Sequence, residues 1–190
     1  MTTYKEIRGT QIEVVSSDPS NPVEGQVWYN STDQAVKGRA VTTTGSWSTV
    51  NSMNTARKSL GGAGTATSAV AFGGNPSPNS ALTESWNGTN WSEVSDLNTA
   101  RILLGSAGAS NTAALAFGGT SDPPNRAQTE NWNGSSWTEV NDLNQSRNSI
   151  GSAGVVATAA LAFAGWEPGN TGKTESWNGT NWTEVNDINT

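Results

Sequence analysis

The chain has 190 residues, a formal net charge of -6, and neither histidine nor cysteine. This composition excludes imidazole bases, Ser-His-Asp and Cys-His nucleophiles, His or Cys metal sites and disulfide bonds, and the negative charge argues against a nucleic-acid partner. Only 33% of the residues are hydrophobic, but the nine Trp argue against disorder. The sequence therefore predicts an all-β protein of short strands and tight turns that carries no cofactor.

Residues 1–45 lack the repeat that fills the rest of the chain, and we interpret them as a separate small β-rich segment. Apolar residues at 7–15 indicate a strand, the Pro- and Asp-rich stretch 17–22 indicates a break, and a hairpin-like pattern follows over 22–39. The first residues contain no apolar core of signal-peptide type, and the longest small-and-apolar run, 155–166, is too short to span a bilayer. We therefore expect no signal peptide and no membrane insertion.

The hairpin-like segment combines a Pro-x-x-Gly start, an apolar-Trp-Tyr-Asn run and a basic end. It resembles a segment of bacteriophage tail-fibre and other virion appendage proteins of tailed phages, particularly marine ones. In those proteins the segment often stands just before the repeated or receptor-binding part of a fibre. The resemblance implies that residues 1–45 dock the chain on a phage particle. The docking candidates are Pro22, Gly25, Val27, Trp28, Tyr29 and Asn30.

Residues 46–190 contain a repeat of about 45 residues. Its clearest marker is a Trp at positions 47, 91, 137 and 182, with spacings of 44, 46 and 45 residues. Each unit runs from an Arg-containing linker through a glycine-rich piece and an apolar segment to a hairpin with two Trp. The repeats cover about 57–100, 101–146 and 147–190.

Each repeat is predicted to form four short antiparallel strands. The Asn-Gly pair between the two Trp predicts a type I′ hairpin turn, because Asn-Gly supplies the positive φ that this turn needs. In the apolar segment, Leu115 and Phe117 share one strand face, whereas Ala114 and Ala116 share the other. A four-stranded unit cannot bury both faces alone. We therefore expect the units to stack face to face in the radial arrangement of a β-propeller, with one unit per blade.

The order of these features resembles the kelch repeat of β-propellers over roughly residues 47–190. The glycine pair of that family is matched by Gly73-Gly74 and Gly118-Gly119, and its Trp by Trp91, Trp137 and Trp182. The sequence departs from the family in its third pair, Ala164-Gly165, and in having Trp86, Trp132 and Trp177 where Tyr is usual. The resemblance implies a kelch-like β-propeller built of four-stranded antiparallel blades.

The chain holds about three complete units, preceded by one Trp hairpin at about 36–50, whereas a propeller needs about 4–8 blades. The last five residues match the linker that elsewhere leads into a further unit. We expect the polypeptide to be truncated here and to continue past Thr190. The alternative is that copies complete one another's sheets in a homo-oligomer, since an uncovered edge invites pairing.

The side chains that recur in every repeat are interpreted as structural. Six Trp are expected to pack between blades rather than to serve as sugar-stacking platforms: Trp86, Trp91, Trp132, Trp137, Trp177 and Trp182. Three Arg are expected to pair with a Glu or with backbone carbonyls of a neighbouring blade: Arg57, Arg101 and Arg147. The Glu recur too, at 84, 130 and 175 and at 93, 139 and 184. Catalytic carboxylates are usually unique in a chain, so we predict that the protein is not an enzyme.

One aromatic residue stands outside this pattern. Trp166 occurs once, in the variable loop 165–170, where the repeat does not require it. Binding specificity belongs in loops that differ between repeats. The receptor-binding candidates are therefore Trp166, Glu167 and Asn170.

These features lead to a functional hypothesis and two alternatives. We expect a structural virion protein of a tailed bacteriophage: an appendage, such as a tail or collar fibre, that is docked by its N-terminus and displays a propeller to the host surface. Its partners would be other virion proteins, further copies of itself and a host surface glycan or protein. The first alternative is a lectin-like carbohydrate-binding propeller. The second is a protein-interaction scaffold, or a hydrolase whose catalytic part lies beyond Thr190.

Overall fold

The computed structural model describes residues 4–7, 10–23, 25–39, 48–75, 78–121 and 124–189. The regular secondary structure of these residues is all β, and none of them form a helix long and apolar enough to cross a membrane. The chain divides into two compact units, Met1–Thr49 and Val50–Thr190. Residues 40–47 of the predicted first Trp hairpin, Trp47 among them, lie outside the described residues.

The first unit is a four-stranded sheet in the order β1-β2-β3-β4. Its strands are β1 (Tyr4–Ile7), β2 (Thr10–Val15), β3 (Val27–Asn30) and β4 (Ala35–Gly38). The strand predicted over 7–15 is in fact parts of two strands, because Tyr4–Ile7 pairs antiparallel with Thr10–Val15. β2 and β3 run parallel, whereas β3 and β4 form the hairpin that the 22–39 pattern predicts.

The second unit contains three four-stranded antiparallel sheets, which we call the first, second and third repeat sheets. The first has β5 (Gly61–Thr65), β6 (Ser68–Phe72), β7 (Thr83–Trp86) and β8 (Trp91–Val94). The second has β9 (Gly105–Ser110), β10 (Ala113–Phe117), β11 (Thr129–Trp132) and β12 (Trp137–Val140). The third has β13 (Gly151–Val156), β14 (Ala159–Phe163), β17 (Thr174–Trp177) and β18 (Trp182–Val185), with a small hairpin, β15 (Trp166–Glu167) and β16 (Gly169–Asn170), inserted before β17. The prediction of four short antiparallel strands in each repeat is confirmed.

Each repeat sheet has two chemically different faces. In β10, Leu115 and Phe117 pack against the third repeat sheet, whereas Ala114 and Ala116 pack against the first. Trp132 is paired with Ala114 in the strand register and therefore lies on the Ala side. We call the Leu/Phe side the Phe face and the Ala/Trp side the Trp face. The large and small alternation predicted from the sequence is confirmed.

The sheets stack with the Phe face of one on the Trp face of the next, and the first strands β5, β9 and β13 lie side by side. Small residues in these first strands make room for the aromatic rings. A Cβ on Gly105 would lie 2.2 Å from Cε2 of Phe117, so only glycine fits beneath that ring.

The Trp hairpins have four-residue loops rather than the predicted type I′ turns. After Trp132, Gly134 has a φ of 94°, but Asn133 has no positive φ, so the I′ prediction is wrong. Instead, Asn133 Oδ1 accepts the backbone N–H groups of Ser135 and Ser136, both at 2.9 Å. The Asn side chain stabilises the loop by replacing backbone hydrogen bonds.

Candidate functional site

Each repeat buries one Arg together with one Glu. Arg101 Nη2 lies 2.7 Å from Glu130 Oε1, and Arg101 Nη1 donates to the carbonyls of Gly118 and Gln128. Burial lowers the pKa of Arg101, and the charge of Glu130 opposes this shift. The predicted pairing forms, but within a repeat rather than with a neighbouring one. The equivalent pairs are Arg57 with Glu84 at 2.9 Å and Arg147 with Glu175 at 2.7 Å.

The linker that carries Arg101 also ties two sheets together. Asp96 accepts the backbone N–H of Thr83, in the first repeat sheet, at 3.0 Å. Two residues later, Asn98 donates its backbone N–H to Glu130, in the second repeat sheet, at 2.8 Å. Both the Arg101 guanidinium and the linker backbone therefore donate hydrogen bonds to the Glu130 carboxylate, and these contacts are structural. The second set of Glu lies exposed on the adjacent strands: Glu93, Glu139 and Glu184.

The six repeat Trp all lie on Trp faces, and all except Trp91 are buried. Three of them donate Nε1–H to a backbone carbonyl of their own repeat, with distances of 2.9, 2.8 and 3.1 Å: Trp86 to Ala66, Trp132 to Asn111 and Trp177 to Ala157. Two others donate to the neighbouring sheet, both at 3.0 Å: Trp137 to Thr83 and Trp182 to Thr129. The rings of Trp132 and Trp137 share a core cluster with Phe72 of the first sheet, and those of Trp177 and Trp182 share one with Phe117 of the second. The burial of all five rings leaves no face available to a ligand.

Trp166 is different, because 48% of its surface is exposed. Its backbone pairs with Asn148 through hydrogen bonds of 2.7 and 3.0 Å. Asn75 and Thr120 form the equivalent bridges in the first and second repeats. The backbone position of Trp166 therefore belongs to the repeat after all, and what is unique is the aromatic side chain placed there.

Two neighbouring clefts, which we call together the Trp166 cleft, share Trp166 and Asn148. The first has a volume of about 340 Å³ and is lined by Asn75, Asn79, Ile102, Thr120, Asn125, Asn148 and Trp166. The second has a volume of about 440 Å³ and is lined by Asn148, Ser149, Ala164, Gly165, Trp166, Asn170 and Thr171. Together, the two clefts are lined by residues from loops of all three repeats. Most of these residues carry amide or hydroxyl groups, and they surround one aromatic ring.

The amides beside Trp166 are held in place by one another. Asn125 Nδ2 donates to the Trp166 carbonyl at 2.9 Å, and Asn148 Nδ2 donates to Asn125 Oδ1 at 2.7 Å. Ser149 Oγ donates to Asn148 Oδ1 at 2.8 Å. The wall of the cleft is therefore pre-organised. The sequence analysis did not single out Asn125 or Asn148. A signal for Asn148 was present, because the equivalent positions of the other two repeats hold Lys58 and Ile102 rather than an amide.

The two other receptor-binding candidates lie in the same inserted hairpin. Asn170 pairs with Trp166 across the hairpin, is exposed and lines the second cleft. Glu167 lies 3.4 Å from Lys173 in an ion pair and lines neither cleft. The structure thus brings Asn170 and Trp166 together and directs Glu167 to a separate contact.

The docking candidates of the first unit separate into two groups. Trp28 and Asn30 are buried and both donate to Asp18 Oδ1, at 2.9 and 2.8 Å. Lys37 donates to the other oxygen, Oδ2, at 2.8 Å. These four residues, which we call the Asp18 cluster, hold the loop before β3 against the sheet. The hydrogen bond from Lys37, followed by those from Asn30 and Trp28, lowers the pKa of Asp18 to about 2.

The remaining docking candidates lie nearer the surface. Gly25 and Val27 are exposed, whereas Pro22 and Tyr29 are half-buried. Gly25 has a φ of 78° in the turn that leads into β3, which favours glycine there. Of the segment that resembles phage appendage proteins, these residues rather than Trp28 and Asn30 are accessible to a partner.

Within the part of the chain that the structure describes, no group of three or more Asp or Glu is placed to hold a metal ion. No family model matches the chain, and no curated protein matches it in sequence.

Proposed function

We propose that the three repeat sheets are blades of a kelch-like β-propeller. Three observations support this: each sheet has four antiparallel strands, Phe faces stack on Trp faces, and the first strands lie side by side as they do around a propeller axis. The glycine pairs that resemble those of kelch repeats have positive φ in the first two repeats, with values of 67° and 99° at Gly73 and Gly74.

We further propose that the protein is a non-catalytic appendage protein of a tailed-phage virion, docked by its first unit. The resemblance of the segment from Pro22 to Arg39 to virion appendage proteins supports the virion assignment. The burial of the repeated Glu in Arg pairs supports a structural role for those carboxylates.

The function of the propeller in this proposal is to bind a glycan on the host surface at the Trp166 cleft. The observation that carries this is the exposed Trp166 ring beside an ordered set of amides. An aromatic face packs against the apolar C–H face of a pyranose, while amide groups both donate to and accept from sugar hydroxyls. Asn170 and Asn79 also line the cleft, and no hydrogen bond of either side chain is found among the described residues, so both amides are available to sugar hydroxyls.

The glycan assignment is tested on an array of bacterial surface glycans with the full-length chain. We expect a defined set of glycans to bind, and Trp166→Ala to lower the affinity at least about tenfold, since burial of an aromatic side chain contributes more than about 1.4 kcal/mol. Val155→Ala is the matched control, because Val155 is also an exposed apolar residue but lies outside the cleft. The absence of binding to any glycan, or equal affinity of the two variants, would contradict the assignment.

The virion assignment is tested separately. Mass spectrometry of purified phage particles should find this chain in many copies per particle, as the symmetry of appendages requires. Particles without the chain would contradict the assignment, whatever the glycan array shows.

A further inference from the structure

The hairpin loop between the two Trp strands has the same structure in all three repeats. Each loop starts with an Asn-Gly pair, and the Asn Oδ1 accepts the backbone N–H groups of the residues two and three positions later. These hydrogen bonds all measure 2.9 Å and belong to Asn87, Asn133 and Asn178. The three Asn are exposed. The repeat therefore presents the same amide to water in each of its copies.

The backbone N–H that follows each of these Asn is free. Among the described residues, no hydrogen bond is found for the N–H of Gly88, Gly134 or Gly179. A glycine also has no Cβ to shield its backbone nitrogen. A bond from this nitrogen to Cγ of the preceding Asn would close a five-membered ring. Each loop therefore combines an accessible amide with an accessible backbone nucleophile.

Two Asn-Ser pairs of the second unit show the opposite arrangement. Asn79 is half-buried, and the N–H of Ser80 donates to a backbone carbonyl at 2.8 Å. Asn148 is buried, and the N–H of Ser149 donates to a backbone carbonyl at 2.9 Å. Ser is also a small residue, but in both pairs its backbone nitrogen is already used. The structure thus distinguishes the three loop Asn from other Asn that precede a small residue.

We propose that the three loops are sites of spontaneous deamidation, which converts Asn87, Asn133 and Asn178 to aspartate. In the second repeat, the Gly134 nitrogen attacks Cγ of Asn133. The new N–Cγ bond forms, the Cγ–Nδ2 bond breaks, and the proton of the Gly134 N–H leaves with Nδ2 as ammonia. Water then opens the cyclic imide, giving its hydroxyl to Cγ and its proton to the Gly134 nitrogen. Each conversion consumes one water and releases one ammonia.

The loop also selects the product. Opening of the imide at Cγ restores the original backbone, and the new carboxylate accepts the same two N–H groups in stronger, charge-assisted hydrogen bonds. Opening at the other carbonyl carbon gives isoaspartate and adds one carbon to the backbone. That extra carbon would have to fit into a four-residue loop that is closed by the pairing of Trp132 with Trp137. Aspartate is therefore the expected main product in the folded chain.

The conversion changes the charge of the protein at defined places. Each step adds one negative charge to a chain whose formal net charge is already -6. None of the three loops lines the Trp166 cleft. This inference is therefore independent of the glycan and virion proposals.

Mass spectrometry of the full chain, kept folded at mildly alkaline pH, tests the proposal. The intact mass should rise in three steps, because each conversion replaces an NH₂ group by OH. Peptide mapping should place these steps at Asn87, Asn133 and Asn178. The rate should rise with pH, since the attacking N–H must lose its proton. No conversion at these three Asn, or earlier conversion elsewhere in the chain, would overturn the proposal.

Asn79 and Asn148 are the internal controls for the role of the free N–H. In the folded chain they should convert at least about tenfold more slowly than the three loop Asn, because the N–H of the following Ser must first leave a hydrogen bond. In concentrated urea this hydrogen bond is lost, and the difference should shrink. An unchanged ratio in urea would show that the residue type after Asn alone sets the rates, and it would contradict the structural argument.

Asn133→Ser is the matched variant for a single loop, since a Ser hydroxyl also accepts loop N–H groups. It should remove one of the three mass steps and leave the other two. If this variant fails to fold, Asn133→Asp gives a second test, because it places the proposed product in the loop. Its melting temperature should be no lower than that of the unmodified chain. A lower melting temperature, or isoaspartate as the main product in the folded chain, would contradict the proposed fit of the product.

Discussion

The guanidinium of Arg101 lies 2.7 Å from the carboxylate of Glu130, and both side chains are buried. The same carboxylate accepts the backbone N–H of Asn98, which belongs to the linker between those sheets. The pair therefore connects the stacking of the sheets to the path of the chain between them. Removal of either partner leaves a buried charge uncompensated.

We predict that Glu130→Ala lowers the free energy of unfolding by about 3–5 kcal/mol, because Arg101 then stays buried without its carboxylate. Urea denaturation followed by tryptophan fluorescence measures this change. Glu139→Ala is the matched control, since Glu139 pairs with Glu130 across β11 and β12 but is exposed. Its effect should stay within about 0.5 kcal/mol. Equal effects of the two substitutions would show that the buried pair is not a principal contact.

We predict that Ala164→Gly stabilises the protein by about 1 kcal/mol, because Ala164 has a φ of 54°, where a Cβ is strained. Ala164 and Gly165 correspond to Gly118 and Gly119 in the second repeat, and this pair provides the reverse control. A Cβ on Gly118 would lie 2.3 Å from Cδ1 of Ile150 and 2.9 Å from the Arg147 carbonyl. Gly118→Ala should therefore lower the melting temperature, whereas Ala164→Gly raises it. A fall in the melting temperature of Ala164→Gly would contradict the strain argument.

We predict a pH dependence of the first unit from the Asp18 cluster. The pKa of Asp18 is lowered from 3.8 to about 2, chiefly by the hydrogen bond from Lys37. A lowered pKa stabilises the folded state at pH values above the ordinary pKa of the carboxyl group. This contribution is lost as the pH falls from about 4 to about 2.

Carboxyl carbon chemical shifts, followed by NMR over this pH range, measure the Asp18 pKa directly. Lys37→Met should raise it towards its ordinary value, because the hydrogen bond that contributes most to the lowered pKa is lost. Val36→Met changes an exposed neighbour on the same strand and should leave the pKa unchanged. An Asp18 that titrates near 4 in the unmodified chain would contradict the cluster geometry.

The repeat and its strand faces could be predicted from the sequence because both depend on periodicity. The alternation of Leu115 and Phe117 with Ala114 and Ala116 has the period of a strand, and burial follows directly from it. The turn type could not be predicted in the same way. An Asn-Gly pair is compatible with a type I′ turn and with a longer loop, and the choice depends on the side-chain hydrogen bonds of Asn133.

The candidate site was only partly predictable for a similar reason. Trp166 stood out because it breaks the repeat, but Asn125 and Asn148 come from different repeats and meet only in the folded protein. Sequence also could not choose between the two Glu of each repeat. Glu130 and Glu139 lie opposite each other on adjacent strands, and the path of the linker alone brings Arg101 to the first of them.

The most direct test of glycan binding at the Trp166 cleft is an NMR titration of the indole N–H signals of the nine Trp with oligosaccharides released from the host surface. The Trp166 signal is assigned by its loss in Trp166→Phe. We predict that this signal shifts progressively during the titration. The signals of Trp132 and Trp177, which are buried and donate to backbone carbonyls, should stay in place. A stationary Trp166 signal, or shifts confined to the repeat Trp, would contradict the proposed function.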